Sequence, residues 1–192
     1  MTGDLWLAKW TGMITDQTPV SAILELGCGT GRDTRYLAEQ GFTDITATDL
    51  SREALAECAT KVPSAHLICH DLREPLPFSD NRFNVVIASL CLHYFAWDTT
   101  EDILRGIHRC LVPGGFLLCR LNSTRDVHYG AEGHQEIARH YYEVNGKPKR
   151  FFDRQDIDAL FGTGWIRLST VEMSIDRYEM PKVVWEVVVR KG

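Results

Sequence analysis

The run Ile23-Leu24-Glu25-Leu26-Gly27-Cys28-Gly29-Thr30-Gly31 constrains this chain more than any other stretch. A short apolar strand leads straight into a turn with glycine at alternate positions, and a helix begins near Arg32. Glycine lacks a Cβ and tolerates positive φ, so such a loop bends sharply and lets a ligand approach the backbone. The free N–H groups of the following helix start point into the same space. An acid, Asp49, closes the next apolar run, Ile45-Thr46-Ala47-Thr48, at a spacing that suits a carboxylate gripping ribose hydroxyls. This is the layout of a nucleotide-type ligand site. A glycine turn used only for packing is the bland alternative.

The rest of the chain alternates strand and helix signals. Strands are expected at 22–26, 44–48, 65–69, 83–88 and 116–121, all apolar runs rather than alternating ones. Helices are expected at 32–40, at 51–61 with Ser51 as N-cap, and from Thr99 or Thr100 with Ile103, Leu104, Ile107 and Leu111 inward. Pro113-Gly114-Gly115 reads as the turn into the fifth strand. This order indicates a parallel sheet covered on both faces. Residues 153–161 read as one more helix. Two strand-like runs, 165–175 and 183–189, then read as an antiparallel hairpin at the sheet's edge. Residues 4–16 read as a short amphipathic helix carrying Leu5, Trp6, Trp10 and Ile14.

A length of 192 residues suits one domain with a single core, and no linker or repeat argues for a second. We therefore expect one domain over 1–192, with 1–18 as an N-terminal helix capping the site and 122–150 as a loop or helix insertion on the acceptor side. No apolar run approaches the ~18 residues needed to span a membrane, and the N-terminus lacks a secretory pattern, so a cytoplasmic protein is expected. The formal charge of −5 argues against general affinity for nucleic acid. The six cysteines contain no C-x-x-C pair and read as small buried hydrophobes, and the histidines lack zinc-ligand spacing, so no metal is expected. Residues 120–150 are the most cation-rich segment, with six Lys/Arg against four Asp/Glu.

The glycine pattern is E-L-G-x-G-x-G. Arg32 stands where the dinucleotide pattern G-x-G-x-x-G requires its last glycine. With Glu25 before the loop and Asp49 after the next strand, the chain resembles the class I S-adenosylmethionine-dependent methyltransferases, in size the tellurite and thiopurine methyltransferase type. The resemblance covers nearly all of 20–190 and is most specific at 25–31, 49 and 113–115. It implies a Rossmann-like α/β fold, a seven-stranded mostly parallel sheet in the order 3-2-1-4-5-7-6 with an antiparallel C-terminal hairpin. It also implies S-adenosyl-L-methionine as cofactor, S-adenosyl-L-homocysteine as product, and in-line methyl transfer.

On that resemblance Gly27, Cys28, Gly29 and Gly31 would approach the methionyl and ribose part. Asp49 would hold the ribose and Leu50 would pack on the adenine. Asp71 would take the adenine amino group and Leu72 would offer its N–H to the ring. Ser89 would lie beside the methionyl end. Glu25 would fix the turn or reach the amino group through water. Arg32 and Asp33 would meet the methionyl charges or simply form a solvated first helical turn.

Acceptor-side candidates follow the fourth and fifth strands. His93 is read as a base or as a packed histidine. Arg120 and Asn122, charged and polar at the end of an apolar strand, are read as pointing into the pocket toward an anionic or carbonyl-bearing acceptor; a structural ion pair is the other reading. His128 and Tyr129 would form a lid wall, and Arg150 adds a cation nearby. Trp6 and Trp10 either close over the cofactor or pack in the core. The short chain favours a small-molecule acceptor, and its oligomeric state is not readable. An NAD(P)-dependent oxidoreductase and a non-catalytic cofactor-binding protein with the same fold are the competing readings.

Overall fold

A computed structural model describes residues 6–16, 21–176 and 178–192. The parts of the expected N-terminal helix at 4, 5, 17 and 18, Leu5 among them, lie outside the described residues. Within them, a 3-10 turn over Trp6–Lys9 precedes a short helix, α1 (Thr11–Thr15). Then come β1 (Ile23–Leu26), α2 (Arg32–Glu39), β2 (Ile45–Asp49), α3 (Arg52–Lys61), β3 (His66–Cys69) and β4 (Phe83–Ser89). After a 3-10 turn at Leu92–Tyr94 follow α4 (Trp97–Cys110) and β5 (Leu111–Asn122). Beyond a 3-10 turn at Val127–Tyr129 come β6 (Gln135–Ala138), β7 (Tyr141–Val144), β8 (Lys147–Arg150), α5 (Arg154–Leu160), β9 (Trp165–Ile175) and β10 (Lys182–Lys191).

The main sheet has seven strands in the order β3-β2-β1-β4-β5-β10-β9. Strands β1 to β5 are mutually parallel, and β10 runs antiparallel to both its neighbours. This is the expected order. The chain builds outward from β1 to β3, then crosses back to lay β4 on the other side of β1. A crevice opens at that reversal, beyond the carboxyl ends of the strands.

Side-chain alternation sorts the strands between two faces. Leu24, Leu26, Val86, Leu117, Cys119 and Val187 pack with Ile103, Leu104 and Ile107 of α4 and with Phe161. Ile23, Val85, Ile87, Phe116, Leu118 and Val188 pack with Trp6, Leu7 and Ile14 of the N-terminal segment and with Leu37 of α2. Ser51 caps α3 by accepting from Ala54 N–H at 3.1 Å. Asp153 and Asp156 form a reciprocal capping box on α5.

Three expectations need correction. Helix α4 starts at Trp97, one turn earlier than expected, and Leu111 is buried in β5 rather than on the helix. Pro113-Gly114-Gly115 lies inside β5, as an irregularity where the pairing shifts from Phe83–Leu111 to Val85–Phe116. The segment 122–150 is not a loop or helix insertion. Its last part is an antiparallel three-stranded sheet, β6-β7-β8. Strands β7 and β8 meet through Asn145-Gly146, both at positive φ (53° and 72°), which is the two-residue turn whose twist matches a hairpin.

Candidate functional site

A cleft of about 690 Å3 sits at the topological reversal. Its walls come from the ends of four strands: Gly27 after β1, Thr48 to Ser51 around the end of β2, His70 to Arg73 after β3, and Leu90, Cys91, Tyr94 and Phe95 after β4. Lys147 at the start of β8 reaches it from the small sheet.

The glycine loop is shaped by its neighbours. Gly27 has φ +64°, and a Cβ there would fall 2.4 Å from Cys91 Cβ. Gly31, at φ +79°, would place one 2.4 Å from Cys58 Sγ. Both positions therefore admit glycine alone, by backbone angle and by space. Gly29 differs: a Cβ would meet nothing within 4 Å, so this part of the loop faces open room.

Asp49 ties the loop to β2. Its Oδ2 accepts from Gly29 N–H at 2.8 Å and its Oδ1 from Ser51 N–H at 2.9 Å. A carboxylate offers about four lone-pair sites, so each oxygen retains capacity for a further donor. Beside it, Leu50 is 63% exposed, an apolar surface on the wall of a cleft. Ser89, at the end of β4, has a buried Oγ with no partner. Asp71 and Leu72 line the cleft, but Arg73 grips the Asp71 carboxylate. Those hydrogen bonds hold its pKa down at about 2.

The remaining loop candidates lie behind this wall. Glu25 is buried and accepts from Thr34 Oγ1 of α2 at 2.5 Å, so it braces the loop from below. Cys28 is buried, and burial pushes its thiol up, far from reactivity. Arg32 is half-buried on the first turn of α2 and is not among the lining residues. Trp6 Nε1 donates to Asp33 at 2.8 Å, which turns that carboxylate away from a solvated role.

The acceptor-side expectations fare less well. Arg120 does not point into the cleft. It is 1% exposed and lies on the face covered by the N-terminal segment. There it pairs with Glu186 of β10 at 3.2 Å, while the Trp6 ring sits 4.5 Å away. Glu186 also accepts from Trp10 Nε1 at 3.1 Å and is bridged by Lys9. The ion-pair reading is the right one, since a buried guanidinium requires a carboxylate. Asn122 is also buried away from the cleft and donates to the Arg150 main-chain oxygen. Trp6 and Trp10 belong to this packed network rather than to the cleft. His93 is buried behind Tyr94, with ring centroids 4.2 Å apart, and its Nδ1 has no partner. Burial, aided by Lys182 and Lys149, holds its pKa well below the usual histidine range, so the ring is neutral.

The aromatics that follow His93 in the sequence, Tyr94 and Phe95, do stand on the cleft wall; two lysines escaped sequence reasoning, Lys147 beside them and the half-buried Lys149 farther along β8. The Asn145-Gly146 dipeptide was the signal that would have placed these lysines on a strand.

Residues 23–115 match the family described as a methyltransferase domain. An uncharacterized methyltransferase of Synechocystis sp. is 38% identical over 98 residues, 51% of this chain and 45% of that protein. A malonyl-[acyl-carrier protein] O-methyltransferase of Enterobacter lignolyticus is 28% identical over 139 residues, 71% of this chain and 51% of that one. The chain spans about half the length of the curated relatives it matches. Among solved structures, an S-adenosylmethionine-dependent methyltransferase from Methanosarcina mazei superposes with a TM-score of 0.76 at 17% identity. The superposition covers 91% of this chain and 93% of that one.

Proposed function

We propose that the chain, whose residues 23–115 match a methyltransferase-domain family, is a class I enzyme that transfers a methyl group from S-adenosylmethionine to a small-molecule acceptor, releasing S-adenosylhomocysteine. The observation that carries this reading is Asp49. It lines the cleft, is fixed by two backbone N–H groups, and keeps lone pairs for the two hydroxyls of a ribose. The exposed Leu50 side chain on the same wall fits an adenine face, and the open side of Gly29, bonded to Asp49, leaves room beside that carboxylate.

In this reading Gly27, Gly29 and Gly31 bring the backbone close to the ligand, with Cys28 packed beneath and Glu25 bracing the turn through Thr34. Leu50 covers one face of the adenine. Asp71 and Leu72 serve its polar edge, with Arg73 sharing or releasing the carboxylate. Arg32 stands at the first turn of α2, where positive charge suits a carboxylate ligand. When bound, S-adenosylmethionine supplies a methyl on a positively charged sulfur that leaves as a neutral thioether. The chain's task is then alignment and exclusion of water, for which Tyr94 and Phe95 stand at the cleft. His93 stands behind Tyr94 rather than at the cleft, and burial disfavours its protonated form, so this reading assigns it no base role.

Titration of the purified protein with S-adenosylhomocysteine and, separately, with NAD tests the donor half. We expect S-adenosylhomocysteine to bind and NAD not to; NAD binding alone would overturn the proposal in favour of an oxidoreductase. A screen of acceptors with labelled S-adenosylmethionine tests the transfer. A persistently blank screen would leave a cofactor-binding protein without turnover.

A further inference from the structure

We infer that β8 and β10 present a cationic, tyrosine-walled seat for a carboxylate on the methyl acceptor, with Lys149 as its principal contact. The inference rests on the methyl-transfer reading and names the substrate class of that site: a planar organic acid.

Strand alternation puts Lys147 and Lys149 on one face of β8. Lys147 lines the cleft beside Tyr94 and Phe95, and Lys149 follows two residues along the same strand face. Lys149 is half-buried. Its Nζ donates to the Tyr129 main-chain oxygen at 2.6 Å and lies 5.8 Å from the Tyr129 ring and 5.5 Å from Phe151. Among the described residues no carboxylate bridges it. Lys182 reaches the same place from β10, 4.8 Å from the Tyr129 ring and 5.8 Å from Tyr178. Lys182 is already matched, since Asp126 accepts from it at 2.5 Å.

The local tally is therefore two ammonium groups against one carboxylate, in a setting walled by Tyr129 and Tyr178, whose rings stand 5.5 Å apart. A half-buried ammonium with only one protein acceptor is costly until an anion joins it. Burial, then the neighbouring Lys182, push Lys149 down to about 8 against the upward pull of Asp126, the carboxylate that Lys182 already holds. A second observation comes from the turn after β4, which packs on β8. His93 is 3% exposed, its Nδ1 has no partner, and Lys182 and Lys149 are the charges acting on it. Two ammonium groups set against tyrosine rings suit a ligand that carries a carboxylate on a planar frame. The acceptor-binding cation that Arg120 failed to provide thus comes from β8.

The test titrates benzoate and its neutral isostere benzamide into the full chain, with and without saturating S-adenosylhomocysteine, by calorimetry and by the NMR shift of the lysine ammonium signals. We expect benzoate to bind at least tenfold more tightly than benzamide and to shift Lys149. Lys149→Met should erase that preference, Lys149→Arg should keep it, and both should bind S-adenosylhomocysteine as the parent does. Equal binding of the two probes, absence of benzoate binding, or a preference that survives Lys149→Met overturns the inference while leaving the donor site standing. Benzoate preference without S-adenosylhomocysteine binding supports the seat and strikes the donor reading alone.

Discussion

Two carboxylates on separate strands of the main sheet, one inside β10 and one at the end of β2, meet opposite fates. Glu186 on β10 is wholly buried and fully engaged by Arg120, Trp10 and Lys9. Asp49 on β2 is partly open, held among the described residues by two backbone N–H groups, and has bonding capacity left over a cleft. The first spends its charge on seating the N-terminal segment against the sheet. The second is positioned by the fold without being consumed by it. What separates a structural charge from a functional one here is the count of unspent lone pairs and what they face.

The sharpest way to break that contrast is to remove Glu186. Glu186→Ala strands a buried guanidinium and should cost about 3–5 kcal/mol of stability in urea denaturation, with S-adenosylhomocysteine affinity nearly unchanged while the protein stays folded. Joint replacement, Arg120→Met with Glu186→Met, should recover most of the loss; a double variant as unstable as the single one would show that the pair is not what fails. Asp49→Ala should behave in reverse. Its S-adenosylhomocysteine affinity should fall about 10- to 100-fold, corresponding to charge-assisted bonds of ~1.5–3 kcal/mol, with a stability loss of only about 1 kcal/mol. Unchanged affinity would remove Asp49 from the site.

His93 supplies a subtler comparison, between a buried group that is paired and one that is not. Burial holds its folded pKa well below the ordinary histidine value of about 6.5, so the unfolded chain binds the extra proton first. Stability should be intact above about pH 6.5 and fall as pH drops below it, by up to about 1.4 kcal/mol per unit. Urea midpoints from pH 7 to 5 should show this slope in the parent and a flatter one in His93→Phe. The smallest effect belongs to Asp71. Because Arg73 holds its carboxylate at an exposed site, Asp71→Asn should weaken S-adenosylhomocysteine by less than about fivefold. A larger loss would mean that Arg73 lets go when ligand arrives.

Most of the main sheet was legible, because its central strands β1, β4 and β5 are largely buried apolar runs and α3 and α5 carry their own capping residues. Ser51 and the glycine loop could be placed to the residue for that reason. The Arg120 outcome was legible only as a need. A charge amid Leu118, Cys119 and Leu121 demanded a partner, but Glu186 lies 66 residues further along, and only the β5–β10 pairing brings them into register. The small sheet went unseen because burial does not shape it. All four residues of β6 are exposed, and β8 reads Lys-Pro-Lys-Arg, so neither carries an apolar period. Only turn chemistry marked it.

The small sheet is fastened to the segment after β4 by main-chain oxygens: Tyr141 Oη donates to the Tyr94 oxygen at 3.3 Å, and Arg150 Nε to that of Phe95 at 3.2 Å. A dock built on peptide carbonyls is indifferent to which side chains the docked piece displays elsewhere. The 135–150 hairpins thus form an exchangeable cartridge, whose outward residues can drift or be grafted wholesale while the half of the molecule around Asp49 keeps its shape.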